Sequence, residues 1–277
     1  MLRAVHSIFA SRLPSTYPPS VHRWLFDCPG ILHRDLSPNN IMCRLIEEIN
    51  AQGKSEQQVY GVLTDYDLSS WKKDLNDQRT GTPPYMAYEL LKGTSTTHLY
   101  RHDLESLFYI MLLVGARHTI APAKGGPDAK GKSQVIRLEG ARPYQTWFDT
   151  WPYTTLGSIK QSFIWDRPAI ELSPAFEGFR LWLEGLHYDF SEGLRYRLRH
   201  SKTQPPLWRR REAGGSAGGV TPAPVPFDNE TLGGNVDYPS LLESTRYLKG
   251  DLEGLIIRYD TTSPPLSTPT GAVQADA

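Results

Sequence analysis

The clearest periodic pattern of apolar side chains in this chain follows Asp103. Apolar residues recur there at i, i+3, i+4, i+7 and i+8, at Leu104, Leu107, Phe108, Met111 and Leu112. This spacing puts them on one face of an α-helix and is typical of a buried helix. We therefore predict that a core helix begins near Asp103.

Weaker patterns predict further elements along the chain. Residues 1–12 and 176–188 also have helical spacing, and the short apolar runs at 41–43 and 59–63 predict strands. The charged and polar residues 45–58 are interpreted as an insertion between these strands. The pattern as a whole predicts a mainly α protein with short β-hairpins.

The composition changes beyond about residue 202. Pro, Gly, Ser and Thr dominate there, above all between Gly214 and Pro226. Such a segment cannot bury enough apolar surface to offset the conformational entropy lost on ordering. We therefore expect residues 202–277 to be a mostly disordered tail, with a short helix within 238–259 as its exception.

Composition excludes several classes of protein. The 277 residues carry 30 Lys and Arg against 30 Asp and Glu, so net charge favours neither nucleic acid nor membrane as a partner. The longest apolar run, Leu107 to Val114, is far shorter than the roughly 20 residues that span a bilayer. Cys28 and Cys43 are too few for a disulfide scaffold, which favours an intracellular protein, cytoplasmic or nuclear. The basic run from Arg195 to Arg211 is interpreted as a solvated helix end, with a nuclear-import or nucleic-acid patch as the alternative.

Acidic and amide side chains occur in a pattern that suits phosphoryl transfer. That reaction needs a carboxylate to orient the acceptor hydroxyl and oxygen ligands to hold magnesium on the phosphates. The segment His33–Asn40 reads HRDLSPNN, with Asp35 five residues before Asn40. The segment Val62–Leu68 reads VLTDYDL, so that Asp65 follows directly on an apolar strand.

Two more motifs follow in order. The segment Gly81–Glu89 reads GTPPYMAYE, and the segment His102–Tyr109 reads HDLESLFY at the head of the predicted core helix. Taken singly, each motif is also explained by turn formers and helix caps. The four together, each in a suitable loop, strand or helix, are hard to explain in that way.

From about Gly30 to Phe163 the chain resembles eukaryotic protein kinases, and specifically the fungal-type protein kinase family. The resemblance implies a protein-kinase-like C-terminal lobe at residues 30–201, after an N-terminal helical segment at 1–29. It also implies ATP and Mg²⁺ as cofactors and a Ser or Thr hydroxyl of a protein as acceptor. The sequence departs from the broad kinase pattern at Asp67, which stands where Gly is usual, and at Tyr88, which stands where Pro is usual.

The resemblance also implies roles for single residues. Within the loop that contains His33 and Arg34, Asp35 would receive the hydroxyl proton. The metal ligands would be Asn40 and Asp65.

Three further roles by resemblance are structural. Thr82 would bond to Asp35, and Asp103 would hold the backbone of the catalytic loop. Glu89 would pair with an arginine late in the lobe, for which Arg195 and Arg197 are the candidates.

The half of a kinase that clamps ATP is not recognisable. Only 32 residues precede His33, whereas five strands and a helix need on the order of 60 residues. No Gly-rich loop followed by a strand lysine precedes the motifs, and Ser37 stands where many Ser/Thr kinases have lysine. We expect a longer gene product or another polypeptide to supply this lobe, or the chain to work without it, with weak activity or none in isolation.

Two other functions stay open. A pseudokinase or truncated lobe would use the same residues to keep its fold and would act as a binding module for a protein substrate or regulatory protein. The segment Gly126–Ser133 matches the P-loop pattern G-x-x-x-x-G-K-S, which would make the chain a nucleotide-binding protein. A surface loop rich in Gly and Lys explains that segment equally well.

Overall fold

The computed structural model describes residues 21–49, 53, 55–74, 79–95, 97–121, 134–138, 143–203 and 226–244. Its helices are α1 Val21–Asp27, α2 Tyr88–Lys92, α3 Tyr100–Arg117, α4 Thr146–Asp149, α5 Tyr153–Asp166, α6 Arg180–Thr203 and α7 Tyr238–Ser244. Its strands are β1 Ile31–Leu32, β2 Ile41–Ile49, β3 Ser55–Leu63, β4 Ser70–Trp71, β5 His118–Ala121 and β6 Gln134–Arg137. The described part is mainly helical, as predicted, with small antiparallel sheets.

Helix α3 is the centre of the core. All its residues are buried, and Leu104, Leu107 and Phe108 are 0% exposed. The helix begins at Tyr100, before the predicted start, because the imidazole of His102 accepts a hydrogen bond from the Leu99 backbone N–H at 3.0 Å. This contact satisfies one of the backbone donors near the helix start. The predicted core helix is therefore present and extends over 18 residues.

Helices α5 and α6 pack against α3 through aromatic rings. Phe108 lies 6.3 Å from Phe163 of α5 and 5.8 Å from Phe190 of α6, measured between ring centroids. The helix predicted at 176–188 is a 3₁₀ segment, Pro174–Phe179, followed by the 24-residue α6. No helix within the described ranges is long and apolar enough to cross a bilayer.

Two small sheets frame the segment that contains the first two motifs. β1 pairs antiparallel with β4, and β2 pairs antiparallel with β3 from Ile41 opposite Leu63 to Ile49 opposite Ser55. Interpreting residues 45–58 as an insertion was therefore wrong for the described residues among them. They extend both strands, since the backbone pairing of an antiparallel hairpin needs no continuous apolar run.

The expectation for the tail was wrong for residues 226–244. These residues pack on α6, and Leu232, Val236, Tyr238 and Leu241 are all buried. Gly193 of α6 allows this approach, because a Cβ atom there would lie 2.8 Å from Cβ of Leu232. A few apolar side chains in a turn-rich segment are buried against an existing helix and need no core of their own. A short helix was predicted within 238–259. The structure describes residues 238–244 of this range, and they form α7.

Several predictions fall on residues outside the described ranges. They are the helix at 1–12, the P-loop match at 126–133, and the tail residues 204–225 and 245–277.

Candidate active site

The backbone of the first motif is held by a carboxylate from helix α3. Asp103 accepts hydrogen bonds from the backbone N–H groups of His33 at 3.0 Å and Arg34 at 3.2 Å. Arg34 has φ +70°, a left-handed conformation that costs a residue with a side chain free energy. Two charge-assisted hydrogen bonds to a carboxylate that is 0% exposed offset that cost. The predicted contact between Asp103 and the backbone of the loop His33–Asn40 is present.

The carboxylate of Asp35 is fixed from two sides. Its Oδ1 accepts a hydrogen bond from the Thr82 hydroxyl at 2.8 Å. The side-chain amide of Asn40 donates to the Asp35 backbone carbonyl at 2.8 Å and to Oδ2 at 3.3 Å. Asp35 is partly exposed, so its carboxylate is oriented and still accessible to a hydroxyl group. Two motifs 47 positions apart in the chain thus meet at one carboxylate.

The turn that contains Asp65 is attached to the same loop. The backbone N–H of Thr64 donates to the Asn40 carbonyl at 3.0 Å, and His33 Nε2 donates to the Thr64 carbonyl at 3.0 Å. Asp65 itself has φ +62° and an exposed side chain, and no other described residue forms a hydrogen bond or ion pair with its carboxylate. Asp67 stands where kinases usually have Gly. The turn tolerates it, because the residue with a left-handed backbone there is Asp65 and not Asp67.

Glu89 of α2 lies in a buried cluster of cations. Its carboxylate forms ion pairs with Arg101 of α3 and Arg197 of α6, and it accepts a hydrogen bond from His102. Burial alone would raise the pKa of Glu89, but the His102 hydrogen bond and the two arginines lower it well below its ordinary value. Of the two candidate arginines, the partner is Arg197. Arg195 was the wrong candidate, because it bonds instead to Glu192 and to the Trp165 carbonyl.

Part of the sequence matches a known protein family. The sequence model of the fungal protein kinase family matches residues 20–114, a segment that includes His33, Arg34, Asp35, Asn40, Asp65, Thr82, Glu89 and Asp103. Residues 20–114, called the kinase segment below, are thus similar to the fungal protein kinase family. No curated protein and no solved structure matches the chain.

Sequence reasoning missed a buried polar cluster around Asp103. His22 of α1 and His98 each place Nε2 against the Asp103 carboxylate, at 3.1 Å and 2.9 Å. The other nitrogen of His22 accepts a hydrogen bond from the Tyr238 hydroxyl of α7. Burial would raise the pKa of Asp103, but the contacts with His98 and His22 lower it well below its ordinary value.

This cluster connects segments that are distant in the chain. Its members come from α1, the loop before α3, α3 itself and α7, so their partners depend on tertiary packing. A single histidine in a short helix carries no sequence signal of such a contact. The cluster joins the segment 226–244 to the catalytic loop of the kinase segment through Tyr238, His22 and Asp103.

His33 links the catalytic loop to the turn of Asp65. Burial lowers the pKa of its imidazole, although the Asp103 carboxylate and the bond to the Thr64 carbonyl act in the opposite direction. The ring is therefore held neutral, with Nε2–H as the donor to Thr64. It also lies 5.0 Å from the ring of Tyr66, measured between centroids. Tyr66 occupies the position where kinases have Phe after the metal-binding Asp.

Lys160 of α5 is a second residue that sequence reasoning missed. It is 0% exposed, and its ammonium group donates to the backbone carbonyls of Pro84 at 2.9 Å and Met86 at 2.8 Å. The same group lies 4.0 Å from the Tyr109 ring centroid. Burial lowers the pKa of Lys160 well below its ordinary value, opposed by the Glu105 carboxylate. Lys160 therefore holds the segment directly after Thr82 against the core.

The donor set of the kinase segment fits magnesium. The oxygen ligands that this metal prefers are available from the carboxamide of Asn40 and the carboxylate of Asp65. Since the Asn40 amide nitrogen donates to Asp35, the geometry of that bond leaves its carbonyl oxygen for another partner. Within the described ranges, no three His, Cys, Asp or Glu side chains are grouped so that they could hold a metal ion by themselves.

Proposed function

We propose that the kinase segment is the catalytic part of a protein kinase that transfers the γ-phosphoryl group of ATP to a Ser or Thr hydroxyl. Asp35 orients the acceptor hydroxyl and takes its proton. The side chains of Asn40 and Asp65 hold magnesium through oxygen. When bound, ATP supplies the phosphoryl group and the metal neutralises its phosphate oxygens.

The observation that carries this proposal is the arrangement of Asp35. Its carboxylate is held by Thr82 and Asn40, and it remains accessible beside a turn whose own Asp65 carboxylate has no partner among the described residues. A general base must be oriented to within hydrogen-bond reach of the proton that it takes. An acid that served only as a cap would need no such pair of side-chain contacts.

The experiment measures magnesium-dependent phosphate transfer to a Ser/Thr peptide by the purified chain, with Asp35→Asn beside Asp166→Asn. Asp166 is an exposed carboxylate at the end of α5 and gives the same change of charge. We expect Asp35→Asn to lower the transfer rate by about 10² to 10⁴. Equal rates in the two variants would refute the role of Asp35.

We expect weak activity from this chain alone. Ser37, two positions after Asp35, is uncharged and 3% exposed, so the position where many kinases have lysine supplies no cation to the phosphates. An added lobe, from a longer gene product or from another polypeptide, would supply the cations that clamp ATP. Tight ATP binding by the isolated chain, measured by calorimetry, would contradict this expectation.

The buried Ser37 also favours a second candidate function, that of a binding module with a kinase fold. In this case Asp35, Asn40 and Thr82 maintain the loop and transfer no phosphate. Folded protein that shows neither magnesium-dependent ATP binding nor transfer, with or without an added ATP-clamping lobe, would favour this module over the enzyme.

A P-loop function has less support. Although the motif lies outside the described ranges, the residues that directly follow it, Gln134–Arg137, form strand β6. A P-loop opens a helix at that point. Loss of nucleotide binding in Lys132→Ala but not in Asp65→Ala would restore this possibility.

A further inference from the structure

A basic pocket opens beside the catalytic loop. It is a cavity of about 300 Å³ between the 3₁₀ turn that ends at Asn40, the segment after Thr82, and the C-terminal end of α3. Its polar lining comes from Asn39, Tyr85, Arg117, His118 and Arg137. None of the described residues that line it is acidic. An opening of this composition attracts negative charge.

Arg117 forms the floor of the basic pocket and is held in place. It is the last residue of α3 and is 2% exposed. Its guanidinium lies 3.8 Å from the ring centroid of Phe148 and donates to the Gln145 side chain at 2.9 Å. The planar group is therefore oriented before any ligand binds, which lowers the entropy cost of binding an anion.

Arg137 adds a second cation at the rim. It lies opposite His118 in the β5–β6 ladder, so the two side chains share one face of that sheet. Burial raises the pKa of the Tyr85 hydroxyl, while Arg117 and Arg137 both act to lower it. The two guanidinium groups therefore act on one point inside the pocket.

The position of the pocket relates it to the acceptor site. Asn39 follows Asp35 by four residues, which limits their Cα separation to roughly 14 Å. An extended peptide covers that distance in about four residues. The opposite wall, Tyr85, belongs to the segment that begins at Thr82, the partner of Asp35. A peptide whose hydroxyl lies at Asp35 therefore has its neighbouring side chains within reach of the pocket.

We propose that this basic pocket binds an acidic side chain, a carboxylate or a phosphate, within about four residues of the acceptor hydroxyl of a peptide substrate. The proposal rests on the proposed function, which defines the acceptor hydroxyl, and it adds the class of peptide substrate. The enzyme would then prefer Ser or Thr in acidic or already phosphorylated sequences. Charge complementarity selects this occupant over an apolar or basic peptide.

The test is peptide binding measured by fluorescence anisotropy, without ATP. One labelled peptide has a central Ser with Glu within four residues on either side, and its matched peptide has Gln at the same positions. We expect the wild type to bind the Glu peptide at least about fivefold more tightly, and added salt to reduce the difference. Equal affinities in the wild type would overturn the proposal.

The variants separate the pocket from general electrostatics. Arg137→Gln removes an exposed cation and should reduce the preference by about threefold to fivefold, and Arg117→Met should abolish it. Arg199→Gln, a charge-matched change at a 62% exposed arginine of α6, should leave the preference intact. If Arg117→Met does not fold, as judged by circular dichroism, Arg137→Gln alone decides. An unchanged preference in Arg137→Gln would overturn the proposal.

A phosphoserine peptide and inorganic phosphate distinguish the sources of negative charge. Tighter binding of the phosphoserine peptide supports the proposal and identifies phosphate as the better group. Competition by inorganic phosphate as strong as that by the peptide would overturn the peptide part of it. Since binding is measured without ATP, an acidic preference without transfer leaves the pocket intact while the proposed function fails. Phosphate transfer without a preference for the acidic peptide would overturn the pocket proposal and leave the proposed function intact.

Discussion

At the scale of single residues, buried polar side chains decide the shape of the candidate site. The sequence identified those within recognisable motifs, because Thr82 bonds to Asp35 and Asp103 bonds to the backbone of His33 and Arg34, as the resemblance implies. It did not identify Lys160, whose only sequence feature is its place in an amphipathic helix. A lysine there is expected in solvent. Only tertiary packing shows that it contacts the backbone carbonyls after Thr82.

We expect Lys160→Met to destabilise the protein by about 2 to 3 kcal/mol. The change keeps much of the side-chain volume but leaves the Pro84 and Met86 carbonyls without their donor. Urea unfolding measures the loss, and limited proteolysis near residue 85 measures the loosening of the segment. The control is Lys202→Met at an exposed lysine near the end of α6. Equal stabilities of the two variants would contradict the role given to Lys160.

His187 makes stability depend on pH. Burial lowers the pKa of His187 to about 4, and its Nε2 donates to the Phe163 carbonyl at 2.8 Å. Because the ordinary pKa is near 6.5, the unfolded chain binds the proton first as pH falls. The free energy of unfolding should therefore decrease by about 2 kcal/mol between pH 7 and pH 5 through this residue alone.

The variant His187→Gln isolates this contribution. Glutamine can donate to the same carbonyl but does not titrate, so the pH dependence of unfolding between pH 7 and pH 5 should become shallower. His102, whose pKa burial lowers to about 3, still contributes to the remaining slope. Denaturant unfolding at several pH values is the measurement, and an unchanged slope would show that His187 is not the titrating group.

At the scale of elements, length and periodicity decided what the sequence could predict. The core helix α3 was predictable because its apolar stripe is long and regular. The segment 226–244 was not, because its apolar residues are few and their burial depends on α6, a helix that ends more than twenty residues earlier. Composition indicates whether a segment can form its own core, but not whether it can pack on another one.

Leu232→Ala tests the packing of this segment. Leu232 is 0% exposed against α6, so removing its side chain should cost about 2 to 4 kcal/mol of unfolding free energy. Leu198→Ala, at a leucine of α6 that is 44% exposed, is the control and should cost far less. If Leu232→Ala is as stable as the control, residues 226–244 do not belong to the folded unit in solution.

At the scale of the whole molecule, the kinase segment is embedded in further structure that the family match does not include. Helices α5, α6 and α7 follow it, and they supply Lys160, Arg197 and Tyr238 as partners for the segment after Thr82, for Glu89 and for His22. The candidate site therefore depends on residues from most of the described chain. The order of motifs predicted the site itself, whereas these supports come from parts of the sequence that carry no motif.

The most direct test of the central claim is paramagnetic broadening by Mn²⁺ bound with ADP, in NMR spectra of the chain at nucleotide concentrations that saturate weak binding. Mn²⁺ accepts the same oxygen ligands as magnesium. Signals of the Asn40 side-chain amide and of the Thr64 and Asp65 backbone amides should broaden first, and Asp65→Asn should weaken this effect. Broadening that spares these signals, or that is unchanged in Asp65→Asn, would contradict a magnesium site at this loop.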